Sequence, residues 1–421
     1  MSEVKNHPIQ PSVAALKKLV SSIPDGVPYK QEIDKYLDEL LDLTLEMRPP
    51  RIMVVGRCKS GKSSLINAIC GRKVAEVSMI EPQTGQAKWK TYYNQYEGRE
   101  IIHILDTRGF QEQTNPLGKD SAEIEKDSAK TPLKSIVNAV NRYSPDLILF
   151  LCKASDVSSG VEGDLQALNE VYQVIYKKYS RKLPLICVLT HCDQLVYGSR
   201  WEKLDNQAKI ELTRSSQIVL KNHLVNSQQK KSGFIDIKNF IDIKNNVVPT
   251  VTYAEYYEGE GAEIDPESDG RWNIETLVKE MLKYLPKETK ASMERTSKIK
   301  DFQRKEAISV VDTCSVLSGV ISMNPIPGLS LPIIGAIQTM MVTFIGYLSG
   351  LDFSEETVAN FIATAGVGLG ANWGLTTVSG EVAKLIPGVG SVISVANNTV
   401  ATKAVGELAI KIFIDQEIPE K

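Results

Sequence analysis

The sequence has almost no net charge, since 49 lysines and arginines face 51 aspartates and glutamates among 421 residues. This balance argues against binding of nucleic acid through a strongly basic surface. The six cysteines show no CxxC pair and no metal-ligand spacing, which argues against a zinc site or a disulfide framework. Residues 1–20 lack the uninterrupted apolar segment of a secretory signal. We therefore expect a chain in the cytoplasm or at the cytoplasmic side of a membrane, peripheral or integral.

Charged residues are missing from long stretches of the second half of the chain. Residues 313–351, 357–380 and 385–402 contain none. Because a domain averages roughly 150 residues, the length predicts two or three domains. We divide the chain into four predicted segments: an N-terminal arm and amphipathic helix (1–48), an α/β domain (49–286), a charged linker helix (287–306) and an apolar helical domain (307–421).

Apolar runs alternate with helix-length segments in the predicted α/β domain. The strand-like runs lie at residues 51–56, 101–106, 146–152, 183–190 and 247–253. Amphipathic segments such as 163–179 separate them, and a further amphipathic helix is predicted just before the domain, at 29–47. Alternation of this kind predicts a mostly parallel sheet covered by helices, an α/β fold followed here by an all-α apolar region.

A phosphate-binding loop lies between the first predicted strand and the helix that follows it. Residues 56–63 read GRCKSGKS, which fits GxxxxGK[ST] in the context that this motif requires. Its backbone N–H groups and the helix N-terminus would face a phosphate, and Lys62 would reach the β- and γ-phosphates. The Ser63 hydroxyl would ligate Mg²⁺. The predicted nucleotide-binding residues of this segment are Gly56, Lys59, Ser60, Gly61, Lys62, Ser63 and Ser64.

Two further motifs complete the predicted phosphate and metal site. Asp106 and Gly109 form a DxxG sequence at the end of the strand-like run 101–106. An acid there can hold the Mg²⁺ shell, and a glycine N–H can meet the γ-phosphate. Thr84 lies in a polar loop between the phosphate loop and Asp106, where its hydroxyl would complete the shell. The predicted metal ligands are therefore Ser63, Thr84 and Asp106, and the predicted catalytic residues are Lys62, Thr84 and Gly109.

The base of the nucleotide is predicted to bind at Thr190, His191 and Asp193. These residues end another strand-like run, and an aspartate there can accept two N–H bonds from a guanine edge that adenine does not offer. With these motifs in this order, the chain resembles the bacterial Era-like GTPases of the TRAFAC class over residues 50–286. The resemblance implies a P-loop GTPase fold, GTP or GDP with Mg²⁺, and a final base contact at Tyr253 and Ala254.

One position departs from the family pattern, and a second resembles the hydrophobic-substituted branch to which Era-like proteins belong. His191 replaces the lysine of [NT]KxD, which implies retained guanine specificity with altered affinity. Phe110 follows DxxG where many GTPases have a glutamine that orients the attacking water. We therefore expect slow basal hydrolysis that depends on a partner or a nucleotide-dependent homodimer. Arg57 and Lys59 are candidates to stabilise charge across such a dimer.

The apolar segment 328–351 has the length of a membrane-spanning helix, which needs about 20 residues. Three interpretations stay open: a buried hairpin in a soluble bundle, a hairpin that inserts reversibly in lipid, and a permanent span. The region resembles the Gly-rich helical domain of the YcjF-like type that follows some bacterial G domains. In its organisation alone, the chain resembles dynamin-like and immunity-related GTPases, which act at membranes.

These features predict a GTP-driven switch whose helical domain acts at a membrane, with lipid as the partner. One alternative is an RNA- or ribosome-associated assembly GTPase, although the tail has no KH pattern and no basic stretch, which makes a nucleic-acid partner less favoured. Another is a GTP-binding scaffold with little turnover.

Overall fold

The computed structural model of the protein describes residues 9–44, 47–57, 59–74, 88–93, 100–106, 138, 140, 144–158, 161–195, 207–229, 247–258, 262–323, 326–351, 355–365 and 398–416. The chain divides into two compact units. The α/β unit is Pro49–Pro286, and the helical unit combines Met1–Arg48 with Lys287–Lys421.

Among the described residues, six strands form the sheet of the α/β unit. They are β1 (Arg51–Gly56), β2 (Lys88–Tyr93), β3 (Glu100–Asp106), β4 (Leu147–Lys153), β5 (Leu185–Thr190) and β6 (Val247–Pro249). Their order is β2-β3-β1-β4-β5-β6, and every neighbouring pair is parallel except β2 with β3. The mostly parallel α/β fold expected from the sequence is therefore confirmed.

Helices pack against this sheet, and their side chains complete its core. They are α3 (Lys62–Cys70), α4 (Val161–Tyr179), α5 (Gln207–Gln229) and α6 (Ile274–Tyr284). β4 and β5 are almost continuously apolar and buried along their length, as expected of strands covered on both faces. This burial holds the carboxyl ends of β1, β4 and β5 in fixed positions beside one another.

The helical unit contains α1 (Gln10–Ser21), α2 (Lys30–Thr44), α7 (Lys287–Ser297), α8 (Lys300–Met323), α9 (Ser330–Ser349), α10 (Glu355–Ala365) and α11 (Asn398–Ala409). A π-helical turn, Ile410–Asp415, continues α11. One hydrophobic core joins side chains from all of these helices. α11 approaches α8 so closely that a Cβ at Gly319 or Gly406 would collide with Thr399 or Val311.

Two helices of this unit, α8 and α9, are long and apolar enough to cross a membrane by length and composition. In α9, 72% of the most apolar window is buried inside the unit, against 44% in α8. Gln338, in the middle of α9, is buried and donates a hydrogen bond to Thr402 of α11 at 3.2 Å. The folded unit therefore provides much of the apolar surroundings that α9 requires.

Several elements differ from the expectation. The segment predicted as an N-terminal arm contains α1, whose Val13, Leu16 and Val20 are buried. The charged segment 287–306 forms two helices, α7 and the first part of α8, rather than one, and Lys298 between them has a positive φ of 53°. Strand β2 and helix α5 were not predicted, and β6 ends at Pro249 rather than at residue 253.

Candidate functional site

The predicted phosphate loop begins at the carboxyl end of β1, in the middle of the sheet. β1 pairs with β4 and β4 with β5, all parallel, so that Gly56, Lys153 and Thr190 end on the same edge. In open parallel sheets, ligands bind outside this edge. The loop and the predicted base turn thus belong to one region of the α/β unit.

The two glycines of the loop are required by its backbone. A Cβ at Gly56 would lie 2.6 Å from the Leu151 carbonyl oxygen, so that no other residue fits there. Gly61 adopts φ 85°, a left-handed conformation that glycine reaches without steric cost. Helix α3 then begins at Lys62 without a capping side chain. This arrangement leaves the helix N-terminus suited to an anion, as the motif predicts.

The Lys62 side chain folds back over the phosphate loop. Its Nζ donates hydrogen bonds to the carbonyl oxygen of Arg57 at 2.8 Å and to that of Gly56 at 3.4 Å. The ammonium group is therefore held at the centre of the loop, within reach of a phosphate bound there. Ser63 and Ser64 follow in the first turn of α3, and both are half-buried.

Thr190 connects the base turn to the phosphate loop. Its hydroxyl donates to the Ser60 carbonyl oxygen at 2.8 Å, and it lies 3.4 Å from the Cys152 carbonyl oxygen. Thr190 is completely buried and Ser60 is 2% exposed. Because the bond is shielded from water, it fixes the spacing between the two halves of the site. The two motifs that the sequence placed far apart are thus joined directly.

His191 fills the position of the usual lysine with a neutral ring. It has a positive φ of 56°, and its Nδ1 lies 3.0 Å from the Thr190 hydroxyl oxygen. A Cβ at Gly61 would lie 3.0 Å from its Cε1, so the ring packs over the phosphate loop. Its pKa is lowered from 6.5 to about 4, chiefly by burial and also by the nearby Lys153, while Asp156 opposes the shift. The imidazole is therefore uncharged at neutral pH.

Asp193 lies in a 3₁₀ turn, Cys192–Leu195, directly after β5. Asp193 is 7% exposed, and backbone hydrogen bonds of Thr250 support the turn. The Cys192 N–H donates to the Thr250 carbonyl oxygen at 3.4 Å, and the Thr250 N–H donates to the Leu189 carbonyl oxygen at 2.7 Å. The carboxylate predicted to read the base is thus carried on a turn anchored to β5 and β6.

The predicted base residues Tyr253 and Ala254 follow β6, and both are half-buried. The Tyr253 hydroxyl donates to Glu255 at 2.7 Å, and this bond is the main cause of a raised Tyr253 pKa. Asp106 ends β3, in register with Val54 of β1. Thr84 and Gly109 lie outside the described residues, as does Phe110.

The residues present fit a nucleotide phosphate and, in part, its Mg²⁺. The uncapped start of α3, the glycine loop and Lys62 together suit an anion. Of the three predicted metal ligands, Ser63 is described with its side chain, while Asp106 is placed by its backbone alone. Among the described residues no group of three His, Cys, Asp or Glu forms a metal cage. A metal here would need the phosphates as ligands, which is how Mg²⁺ commonly binds.

Asp164 is a site residue that the sequence analysis missed. It lies in the first turn of α4, and its Oδ2 is 2.7 Å from Nε of Arg57 in the phosphate loop. Arg57 was a candidate to act across a dimer, but it pairs here with an acid of its own chain. Only the pattern of buried positions on α4, where an acid takes the place of an apolar residue, could have indicated Asp164 beforehand.

Residues 51–191 match the family model described as 50S ribosome-binding GTPase. The curated relatives include GTPase Era of Mycobacterium leprae, which is 28% identical over 150 residues, covering 36% of this chain and 43% of the relative. GTPase Era of Borrelia garinii subsp. bavariensis is 27% identical over 207 residues, covering 48% of this chain and 59% of the relative. The chain thus matches about half the length of these proteins.

Among solved structures, Toc33 from Arabidopsis thaliana in complex with GDP and Mg²⁺ is similar at 17% identity, with a TM-score of 0.36, over 67% of this chain and 96% of that chain. The family match covers β1, the phosphate loop and the base turn as far as His191. Together with the sheet topology, it identifies residues 51–191 as the core of a GTP-binding domain with the P-loop GTPase fold.

Proposed function

We propose that the chain is a Mg²⁺-dependent GTPase that works as a nucleotide switch. The observation that carries this proposal is the buried hydrogen bond from Thr190 to the Ser60 carbonyl oxygen, which joins the base turn to the phosphate loop. A loop that binds phosphate and a turn that binds guanine can hold the same nucleotide only if they lie one nucleotide length apart. The family match over both segments supports the same function.

Each site residue has a role in this proposal. Lys62 stabilises the β- and γ-phosphates, and Asp193 accepts the guanine N–H groups. Ser63, Thr84 and Asp106 hold Mg²⁺, which supplies positive charge to the transferred phosphoryl group. The Gly109 N–H meets the γ-phosphate. Tyr253 and Ala254 close the base pocket, and Lys59, Ser60, Gly61 and Ser64 provide backbone around the phosphates.

We propose that turnover is slow in a dilute monomer, because Phe110 cannot hold the attacking water by a hydrogen bond. A partner or a second copy of the chain would supply the missing group. In GTPases, hydrolysis releases loops that the γ-phosphate holds in place. The segments near Thr84 and Gly109 are therefore the proposed switches.

We propose that the output is the helical unit, acting reversibly at the cytoplasmic side of a membrane. Two observations support this: the chain is uncharged over residues 313–351, and α8 and α9 are long and apolar enough to cross a bilayer. The burial of α9 within the unit favours reversible insertion over a permanent span. A rearrangement of α8 and α9 would have to precede deep insertion.

A second candidate function is assistance in ribosome assembly. The family description names 50S ribosome binding, and the relatives named GTPase Era support the same direction. In this function the helical unit would bind RNA or ribosomal protein instead of lipid. Its uncharged sequence favours a protein surface over a phosphate backbone.

Single-turnover hydrolysis of GTP, measured across protein concentration, tests the enzymatic proposal. Wild-type protein should bind GTP and hydrolyse it slowly, with a rate that rises with concentration if a dimer forms. Lys62→Ala should weaken nucleotide binding by roughly 100-fold, because a hydrogen bond to a charged group contributes about 1.5–3 kcal/mol. Fast hydrolysis that is independent of concentration would contradict the need for a partner, and binding without turnover would indicate a scaffold.

Flotation with liposomes and pelleting with 50S subunits separate the two outputs. The full chain is tested beside the α/β unit alone, residues 49–286, each with GDP and with a non-hydrolysable GTP analogue. Flotation of the full chain alone supports the membrane proposal. Pelleting with ribosomal subunits in the absence of flotation would replace it with the assembly function.

A further inference from the structure

The phosphate loop is anchored on its outer side by an ion pair to α4. Nε of Arg57 lies 2.7 Å from Oδ2 of Asp164. The Asp164 side chain is 6% exposed and that of Arg57 is 31% exposed. Asp164 Oδ1 has no hydrogen-bond partner among the described residues. A buried carboxylate is costly without a cation, so Arg57 is the partner that stabilises it.

The charged and buried groups around Asp164 set its pKa. Burial raises the pKa of Asp164, Arg57 lowers it through the ion pair, and the Asp156 carboxylate raises it. The Cys152 thiol of β4 lies nearby and has a pKa raised to about 12, mainly by burial, so it stays neutral. Arg57 is therefore the cation that acts on this carboxylate.

Arg57 is held from two sides. Its guanidinium pairs with Asp164, while its carbonyl oxygen accepts the hydrogen bond from Lys62 at 2.8 Å. Its own carbonyl oxygen also accepts the N–H of Ser60 at 3.2 Å. The peptide that follows Gly56 is thus fixed between α4 and the lysine that binds phosphate.

We propose that Asp164 is a positioning residue of the nucleotide site, whose carboxylate holds Arg57 and thereby sets the backbone of the phosphate loop for phosphate binding. This inference rests on the proposed GTPase function. Asp164 itself does not touch the nucleotide. It acts through Arg57, and a loop that is already ordered loses less conformational entropy when the nucleotide binds.

The test is the affinity of the full chain for a fluorescent GDP analogue. The variants are Asp164→Asn, Arg57→Met and the double variant, with Glu170→Gln as the control, because Glu170 is an exposed acid on the same helix. Each single variant should bind the analogue about tenfold more weakly, within the range of coupling between neighbouring residues. The double variant should be no weaker than the single ones, and Glu170→Gln should match wild type.

A double variant with apolar residues at both positions, Arg57→Met with Asp164→Leu, addresses the case in which the single variants fail to fold. Replacing a buried pair in this way often preserves stability. This variant should unfold at the wild-type urea concentration and still bind the analogue about tenfold more weakly. Wild-type affinity in this variant, or effects of the two single substitutions that add, would overturn the inference.

The pH dependence of nucleotide affinity distinguishes a positioning role of Asp164 from a purely structural one. As the pH falls through the raised pKa of Asp164, protonation breaks the pair, so wild-type affinity should fall more steeply than that of Asp164→Asn. Parallel pH profiles would overturn the inference. Absence of guanine nucleotide binding in the wild type would instead overturn the proposed function, so the two failures are distinguishable.

Discussion

Both units contain apolar stretches, but they surround them differently. In the α/β unit, β4 is a run of seven residues, of which six are buried between layers of helices. In the helical unit, α9 is a run of 20 residues whose neighbours are other helices of the same unit. The apolar residues predict burial in both units, but only the length of α9 raises the question of lipid. The comparison shows that a long apolar helix can be mostly satisfied inside protein.

Their buried polar groups also differ in kind. In the α/β unit, Thr190 and Asp193 are buried at the edge of the sheet where a ligand would bind. In the helical unit, Arg295 of α7 donates to the Tyr347 carbonyl oxygen at 2.6 Å, and its guanidinium lies 4.5 Å from the Tyr347 ring. Gln303 donates to the Leu348 carbonyl oxygen at 2.6 Å. These groups satisfy the end of α9, so they serve packing.

The largest effect is expected from Phe344→Ala in α9. Phe344 is completely buried in the core of the helical unit, and such truncations cost about 3–5 kcal/mol. Hydrogen exchange of α8 and α9 should accelerate, while GDP affinity should stay at the wild-type value if the units are independent. Leu331→Ala is the matched control, because Leu331 is on the same helix and 44% exposed. A loss of GDP affinity in Phe344→Ala would show that the units are coupled.

A second test uses pH on the helical unit. The pKa of Glu294 is raised to about 8, chiefly by burial and also by Glu306, while Lys290 and Lys305 oppose the shift. The folded unit keeps the Glu294 proton up to about pH 8, while the unfolded chain releases it near pH 4.5. The contribution of Glu294 to the free energy of unfolding is therefore fully present below pH 4.5 and is lost as the pH rises through 8.

In the wild type, the free energy of unfolding of the helical unit should fall by about 3–4 kcal/mol between pH 5 and pH 9, and Glu294→Gln should abolish this fall. The measurement is hydrogen exchange of α7 and α8. Glu407→Gln, an exposed acid on α11, should leave the pH profile as in the wild type. If stability of the helical unit is flat with pH in the wild type, Glu294 is not protonated in the folded unit.

The α/β unit should respond to pH in the opposite direction. The pKa of His191 is lowered to about 4, so the unfolded chain binds a proton below pH 6.5 that the folded unit does not accept. The contribution of His191 to the free energy of unfolding is then fully present above pH 6.5. It falls by about 3 kcal/mol in all as the pH drops through 4.

His191→Asn should flatten this acid response, because asparagine tolerates the positive φ and does not titrate. The measurement is hydrogen exchange of β5 from pH 7 to pH 4. His223→Asn on α5 is the control and should keep the wild-type slope. The same acid response in both variants would show that another group causes it.

The smallest effect is expected from Thr190→Val. It removes the hydrogen bond to the Ser60 carbonyl oxygen, which contributes about 0.5–1.5 kcal/mol, so GDP affinity should fall about threefold to tenfold. Thr250→Val is the control, since its hydroxyl donates to the Leu189 carbonyl oxygen at 3.2 Å without touching the phosphate loop. If both variants lose the same affinity, Thr190 supports the fold rather than the site.

The sequence predicted the parts of this structure that local patterns determine. The strand–loop–helix around Gly56 and Lys62 follows from buried runs and glycines, and the structure has it. α1 was not predicted within the N-terminal arm, although Pro11 fits the first turn of a helix. The Arg57–Asp164 pair was missed because the two residues are far apart in the chain, so only the folded sheet brings them together.

The helical unit is built from both sides of the α/β unit, with Met1–Arg48 before it and Lys287–Lys421 after it. On the ribosome, α1 and α2 are therefore made long before α8 and α9, against which they pack. At typical rates of synthesis, the intervening residues take on the order of 10–50 s to emerge. During that time α1 and α2 lack α8 and α9, which complete their core. The core of the helical unit can therefore close only after α9 has emerged.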